Sequence, residues 1–191
     1  MRIIGGKFGG RMLAAPPGAT VRPTSDRVRE AIFNILAHGS DGFAFEGAGV
    51  LDLFAGTGAL GIEALSRGAA HCLFVEEAAP ARAAIRRNVE ALGLTGVSKI
   101  FRRDATDLGA AGRHGGAGLA FVDPPYGKGF AERTLLSLSG GGWLAAGALV
   151  VIEEGKSARL ALPPPYASID QRTWGDTQVL FVRFTPSPSS P

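Results

Sequence analysis

The segment Val50-Leu51-Asp52-Leu53-Phe54-Ala55-Gly56-Thr57-Gly58-Ala59-Leu60-Gly61 constrains this chain more than any other. A short, mostly apolar run passes directly into a turn with glycine at 56, 58 and 61, and an apolar helical segment follows. A strand that enters a helix through so tight a turn is the βα unit of an open α/β sheet. Glycine lets the backbone turn sharply and approach a ligand closely, while the helix start offers free amides. Taken alone, G-x-G-x-x-G reads as a dinucleotide site.

The same rhythm continues downstream and predicts strands at Val50–Phe54, Cys72–Val75, Lys99–Arg103, Leu119–Val122 and Ala148–Ile152. Helices are expected at Leu60–Ser66, closing at Gly68, at Ala79–Leu92, closing near Gly93, and at Ala131–Leu138. Ser168–Thr173 and Val179–Phe184 flank Trp174-Gly175-Asp176 and read as an antiparallel C-terminal hairpin. The sum is an α/β fold, a doubly wound, mostly parallel seven-stranded sheet with right-handed crossovers. Three prolines at 163–165 leave no room for a further full helix before the hairpin.

Upstream, Arg2–Leu13 carries two Gly-Gly pairs and reads as a short hairpin or arm, broken at Pro16-Pro17-Gly18. A helix is expected after Ser25 or Asp26, with Val28, Ile32, Ile35 and Leu36 on one face. The expected organisation is a basic arm at 1–24, an α/β domain at 25–185 and a frayed Pro/Ser-rich tail at 186–191. No internal repeat is visible.

With 191 residues and 46% apolar content the chain can bury a real core. A single cysteine, Cys72, excludes an internal disulfide framework and cysteine-based metal clusters, and suits a reducing cytoplasm. Its apolar neighbours mark it as a core residue. The longest uncharged apolar run, around Leu144–Ile152, is far short of the ~20 residues of a membrane helix. Nothing calls for an obligate dimer, so a monomer is expected. Net charge is +3, yet residues 1–30 carry six basic side chains against two acidic ones. Arg82, Arg86, Arg87, Lys99, Arg102 and Arg103 form a second basic group. Such clusters are either a footprint for phosphates or a solvated surface, and charge alone does not decide.

Three acids change the dinucleotide reading. Glu76 ends the second strand, where a carboxylate accepts from both ribose hydroxyls. Asp104 follows the third strand, within reach of an adenine amino group, and Asp52 sits four residues before Gly56. An acid is unhelpful beside a pyrophosphate and useful beside an ammonium group. An adenosine with an amine and no phosphate describes S-adenosylmethionine better than a nicotinamide cofactor.

Asp123-Pro124-Pro125-Tyr126 ends the fourth strand, on the edge where open α/β sheets bind ligands. The exocyclic amine of a base is a poor nucleophile because its lone pair is delocalised into the ring. A carboxylate at Asp123 and a carbonyl at Pro124, accepting its two N–H bonds, favour the pyramidal amine that attacks. Proline fixes the backbone and adds no competing donor. Tyr126 supplies a stacking plane, worth about 1–3 kcal/mol per base. The chemistry asks for no metal.

These residues together resemble a class I S-adenosylmethionine-dependent methyltransferase acting on an amino nitrogen. More closely, the chain is similar to the bacterial 16S ribosomal RNA guanine-N2 methyltransferases. The similarity is carried by Arg2–Gly6, Arg22-Pro23-Thr24-Ser25-Asp26-Arg27-Val28-Arg29-Glu30, Leu51–Gly61, Glu63–Ala69 and Asp123–Tyr126. The resemblance implies that Gly56, Gly58 and Gly61 border the cofactor's methionine part, with Asp52, Phe54 and Thr57 as further cofactor-binding residues. It implies that Glu76 holds the ribose and that Asp104 with Ala105 borders the adenine. It places the target guanine of 16S ribosomal RNA, or of the small ribosomal subunit, on Asp123, Pro124 and Tyr126. Pro125, Arg2, Lys7, Arg11, Arg22, Thr24 and Arg86 are the weaker substrate contacts. The D-P-P-Y motif is shared with adenine-N6 DNA methyltransferases, so a DNA or other RNA amino methyltransferase remains the alternative. A silent RNA-binding assembly factor on the same fold is the other.

Overall fold

The computed structural model describes residues 1–16, 26–39 and 42–186. The expectations for Arg22, Thr24, Ser25 and residues 187–191 lie outside the described residues. The chain divides into two units, Met1–Arg102 and Arg103–Pro191.

In the first unit, helix α1 (Asp26–His38) precedes strand β1 (Gly49–Leu53), helix α2 (Ala59–Ser66), strand β2 (His71–Val75), helix α3 (Ala79–Ala91) and strand β3 (Ser98–Phe101). β2 lies parallel between β1 and β3, pairing Leu51 with Leu73 and Phe74 with Ile100. β1 and β2 are buried along almost their whole length, which is why they read as continuous apolar runs rather than alternating ones. Every residue of α2 is buried, whereas α3 buries only Ala81, Ala84, Ile85, Asn88 and Val89. Cys72 is buried as expected, and burial, with Asp52 nearby, pushes its thiol pKa up. β3 stops two residues before the expected Arg103. Phe101 makes its last pair, with Val75, and Arg102 and Arg103 leave the sheet exposed.

The basic arm is a small antiparallel clasp. Arg2 bridges Met12, Ile3 N–H donates to the Arg11 carbonyl at 2.9 Å and Gly10 N–H to the Ile3 carbonyl at 2.8 Å. Its underside is anchored by Ile3 and Leu13, both buried.

In the second unit, strand β4 (Ala117–Val122) is followed by helix α4 (Phe130–Gly140) and strands β5 (Leu144–Gly155), β6 (Tyr166–Trp174) and β7 (Thr177–Phe184). β4 and β5 are parallel, while β7 is antiparallel to both β5 and β6. The C-terminal hairpin forms as expected, and residues 156–165 hold no helix. β5 is much longer than Ala148–Ile152 because Glu153, Glu154 and Gly155 continue the ladder against Val179, Gln178 and Thr177. Two carboxylates at a strand end look like a solvated exit, and only pairing with a later strand reverses that reading. Trp143 is buried with its Nε1–H on the Gly109 carbonyl at 2.8 Å, and the Tyr166 hydroxyl donates to the Leu135 carbonyl at 2.8 Å. The strand order is β3-β2-β1-β4-β5-β7-β6, the mixed, mostly parallel seven-stranded sheet that the βα rhythm predicts.

Candidate active site

In the first unit the turn leaving β1 is held by side chains from three other places in the chain. Gly56 N–H donates to Glu76 Oε2 at 2.9 Å, Gly61 N–H to Asp52 Oδ2 at 2.9 Å, and Asn88 Nδ2 to the Thr57 carbonyl at 3.0 Å. Gly58 N–H closes the turn on the Ala55 carbonyl at 2.6 Å. Phe54 enters it with φ 58, a left-handed conformation that costs about 1–3 kcal/mol at a bulky residue and concentrates at functional sites.

Two glycines are required for different reasons. Gly58 caps α2 in the left-handed region, with φ 78. Gly61 is demanded by space, since a Cβ there would stand 2.5 Å from both Cys72 Sγ and Phe74 Cε1. That is the close helix–strand packing of a third glycine.

Glu76 does more than its sequence position implied. Besides Gly56, it accepts from Ala78 N–H through Oε1 at 2.8 Å. One bond on each oxygen leaves each with a further acceptor site, the pair of acceptors that the two hydroxyls of a ribose 2′,3′-diol can donate to. Glu76 is half-buried, directly after β2.

Asp52 is buried beneath this turn rather than open at its surface. Burial, with the charge of Glu76 adding to it and the Gly61 bond opposing it, pushes its carboxyl pKa up to about 7. Between about pH 4 and 7 the folded chain keeps a proton that the unfolded chain has released, so this contribution to stability is lost as pH rises to 7. Asp52→Asn keeps an acceptor for Gly61 and cannot titrate. Its urea-unfolding stability is therefore expected to be flatter than wild type from pH 4 to 7, and equal slopes would refute the assignment.

In the second unit, Asp104 makes a local turn, with Oδ1 accepting from the N–H and hydroxyl of Thr106, both at 2.8 Å. Oδ2 stands outside these bonds, and Ala105 beside it is buried.

The four residues that end β4 are graded in exposure, with Pro124 buried, Pro125 exposed, and Asp123 and Tyr126 half-buried. The tyrosine is locked from below. Its hydroxyl donates to Glu153 Oε1 at 2.5 Å and lies 3.2 Å from Thr177 Oγ1. A Cβ on Gly155 would be 3.3 Å from its ring. Burial first, then the Glu153 bond, pushes the phenol pKa well up, so it remains a donor at neutral pH. Glu154 Oε2 accepts from Gly127 N–H at 3.2 Å and Gly155 N–H at 2.9 Å, pinning the chain that follows. Glu153 and Glu154 hold the segment after β4 in ways that the sequence pattern does not show. Two acids directly after Val150-Val151-Ile152 were the available signal.

Of the basic candidates, Lys7, Arg11 and Arg86 are exposed, and Arg2 lies 3.4 Å from Asp26. Arg82 instead turns onto its own unit, donating to the Glu76 carbonyl at 3.2 Å and to the Glu77 carbonyl. Among the described residues no group of His, Cys, Asp or Glu is placed to hold a metal ion, and no helix is long and apolar enough to cross a membrane.

A family model described as Conserved hypothetical protein 95 matches residues 1–183. Ribosomal RNA small subunit methyltransferase D of Escherichia coli (strain K12) is 39% identical over 153 residues, 80% of this chain and 74% of that one. YlbH of Bacillus subtilis (strain 168) is 45% identical over 128 residues, 66% of this chain and 67% of its own length. The solved structure of yhhF from Escherichia coli aligns with a TM-score of 0.82 at 33% identity, over 98% of this chain and 99% of that one. The chain belongs to the family described as Conserved hypothetical protein 95, alongside ribosomal RNA small subunit methyltransferase D, and carries its methyltransferase fold.

Proposed function

We propose that the chain transfers a methyl group from S-adenosylmethionine to the exocyclic N2 amine of a guanine in 16S ribosomal RNA. The carrying observation is the D-P-P-Y tip of β4, whose tyrosine ring is fixed through Glu153 beside the half-buried Asp123. A carboxylate next to a locked aromatic plane suits a flat base bearing an amine.

When bound, the cofactor supplies a methyl on a sulfonium already activated as a leaving group. The Gly56–Gly61 turn and Glu76 of the first unit would hold it, through the spare acceptor sites of Glu76, and the second unit's candidates for the adenine are Asp104 and Ala105. Asp123 and the Pro124 carbonyl accept the amine's two N–H bonds and aim its lone pair. The amine would take the methyl from the sulfonium, leaving a neutral thioether as the leaving group, and would release one proton to solvent. Positioning supplies much of the rate. The reading asks for neither a metal nor a second copy of the chain.

The N2 amine of a paired guanine lies in the minor groove, so the base is taken unpaired or flipped, at a cost of a few kcal/mol in lost stacking. Lys7, Arg11, Arg2 and Arg86 meet phosphates. With about four phosphates neutralised, RNA affinity is expected to fall about 10²-fold between 50 and 200 mM salt. A binding curve flat over that range would remove the phosphate footprint. The proposal itself is tested by offering labelled S-adenosylmethionine with small ribosomal subunits, naked ribosomal RNA or DNA. Label in ribosomal RNA is expected, and label in DNA alone would overturn the substrate.

A further inference from the structure

Asn88 is a polar amide on the buried face of α3, among Ala84, Ile85 and Val89, and only 3% exposed. Burying such a group is costly unless its hydrogen bonds are made. Asn88 makes three. Its Oδ1 accepts from Ala14 N–H at 2.7 Å, and its Nδ2 donates to the Ala14 carbonyl at 3.1 Å and the Thr57 carbonyl at 3.0 Å. One N–H and two carbonyls admit only one orientation of the amide. A single side chain thus grips the end of the N-terminal arm with one edge and the glycine turn with the other.

The arm's opposite end is seated on the helix that the turn opens. Glu63, fully buried on α2, accepts from Ile4 N–H at 2.6 Å and Gly5 N–H at 2.9 Å. Ser66 donates to the Gly5 carbonyl at 2.6 Å and accepts from Phe8 N–H at 2.9 Å.

The Thr57 carbonyl and the Gly58 N–H share one rigid peptide plane. Because residue 58 is glycine, that plane has two accessible orientations. In the observed one Gly58 N–H closes the turn on Ala55 and the carbonyl points to Asn88. A flip of that plane would break both bonds and turn the Thr57 carbonyl away from Asn88.

We propose that Asn88 is a positioning residue that holds the Thr57–Gly58 peptide in its ligand-ready orientation and makes cofactor affinity depend on how the arm is seated. This rests on the reading that the Gly56–Gly61 turn holds the cofactor.

The test measures S-adenosylhomocysteine binding by calorimetry on the full chain, with melting temperature and kinetics alongside. Asn88→Ala is expected to raise Kd about tenfold, as for one or two lost hydrogen bonds, and to raise the cofactor KM with kcat at saturation nearly unchanged. Asn88→Asp keeps the acceptor for Ala14 but can donate nothing to Thr57, so its Kd should rise as well. Should Asn88→Ala fold poorly, Glu63→Gln loosens the arm at its far end without touching the turn, and a rise of about threefold is expected. A purely structural role predicts lower melting temperatures with every Kd unchanged, and that outcome overturns the proposal. Wild-type protein that binds no S-adenosylhomocysteine would overturn the cofactor reading and this inference together.

Discussion

Asp123→Ala is expected to lower methyl transfer to ribosomal RNA by about 10³-fold, the scale of removing a positioned proton acceptor or electrostatic stabiliser from an active site. Cofactor affinity should stay within about twofold, because Asp123 is assigned to the base and not to the cofactor. The reason lies in the amine. Its lone pair becomes available only when both N–H bonds are drawn out of the ring plane. The Pro124 carbonyl alone can hold just one of them. Single-turnover rates with saturating RNA and cofactor measure this directly. Activity within threefold of wild type would show that Asp123 does not touch the amine. Loss of cofactor binding in the same variant would place Asp123 on the wrong ligand.

Glu76→Ala is expected to raise the Kd for S-adenosylhomocysteine by about 10²-fold or more. Two charge-assisted bonds to ribose hydroxyls are worth roughly 1.5–3 kcal/mol each. The carboxylate also anchors Gly56 N–H and Ala78 N–H, so its removal loosens the Gly56–Gly61 turn. Glu76→Gln should fall between, since one oxygen survives while an NH₂ group opposes whichever backbone donor it meets. Calorimetry on both variants reads the effect. A Kd within threefold of wild type for Glu76→Ala would detach this residue from the ribose.

The parts of this protein that were legible in the sequence are those whose cause is local. The β1 turn, Glu76 at the end of β2 and the D-P-P-Y tip of β4 each follow from a strand stopping at a known kind of residue. The C-terminal hairpin follows from its turn. What stayed hidden depends on distant partners. Glu153 is a solvated strand end until Tyr126, 27 residues upstream, is placed against it. Asn88 is one more polar position on an amphipathic helix until Ala14, 74 residues away, meets its amide. Arg82 reads as an outward cation on α3, yet the loop that starts the helix bends back and offers it two carbonyls. Asp52 was legible as an acid at the β1 turn. Its burial under α2 was not, because Gly61 creates the space and the bond together.

The basic arm shows the same division. Its two Gly-Gly pairs and its charge announce a small hairpin with an exposed cationic face. Nothing in its composition announces that Glu63, Ser66 and Asn88 fasten it from beneath. It is built into the first unit, and its cations are therefore displayed on a fixed surface.

On the proposed reading, the Asp123-Pro124-Pro125-Tyr126 tip holds a guanine while its N2 amine is methylated. The most direct measurement is nucleoside analysis of small-subunit ribosomal RNA after incubation with the protein and S-adenosylmethionine carrying a labelled methyl. The account predicts the label in N2-methylguanosine and none after Asp123→Ala. Label recovered instead as N6-methyladenosine, or at a ring nitrogen or ribose oxygen of any nucleoside, would contradict it.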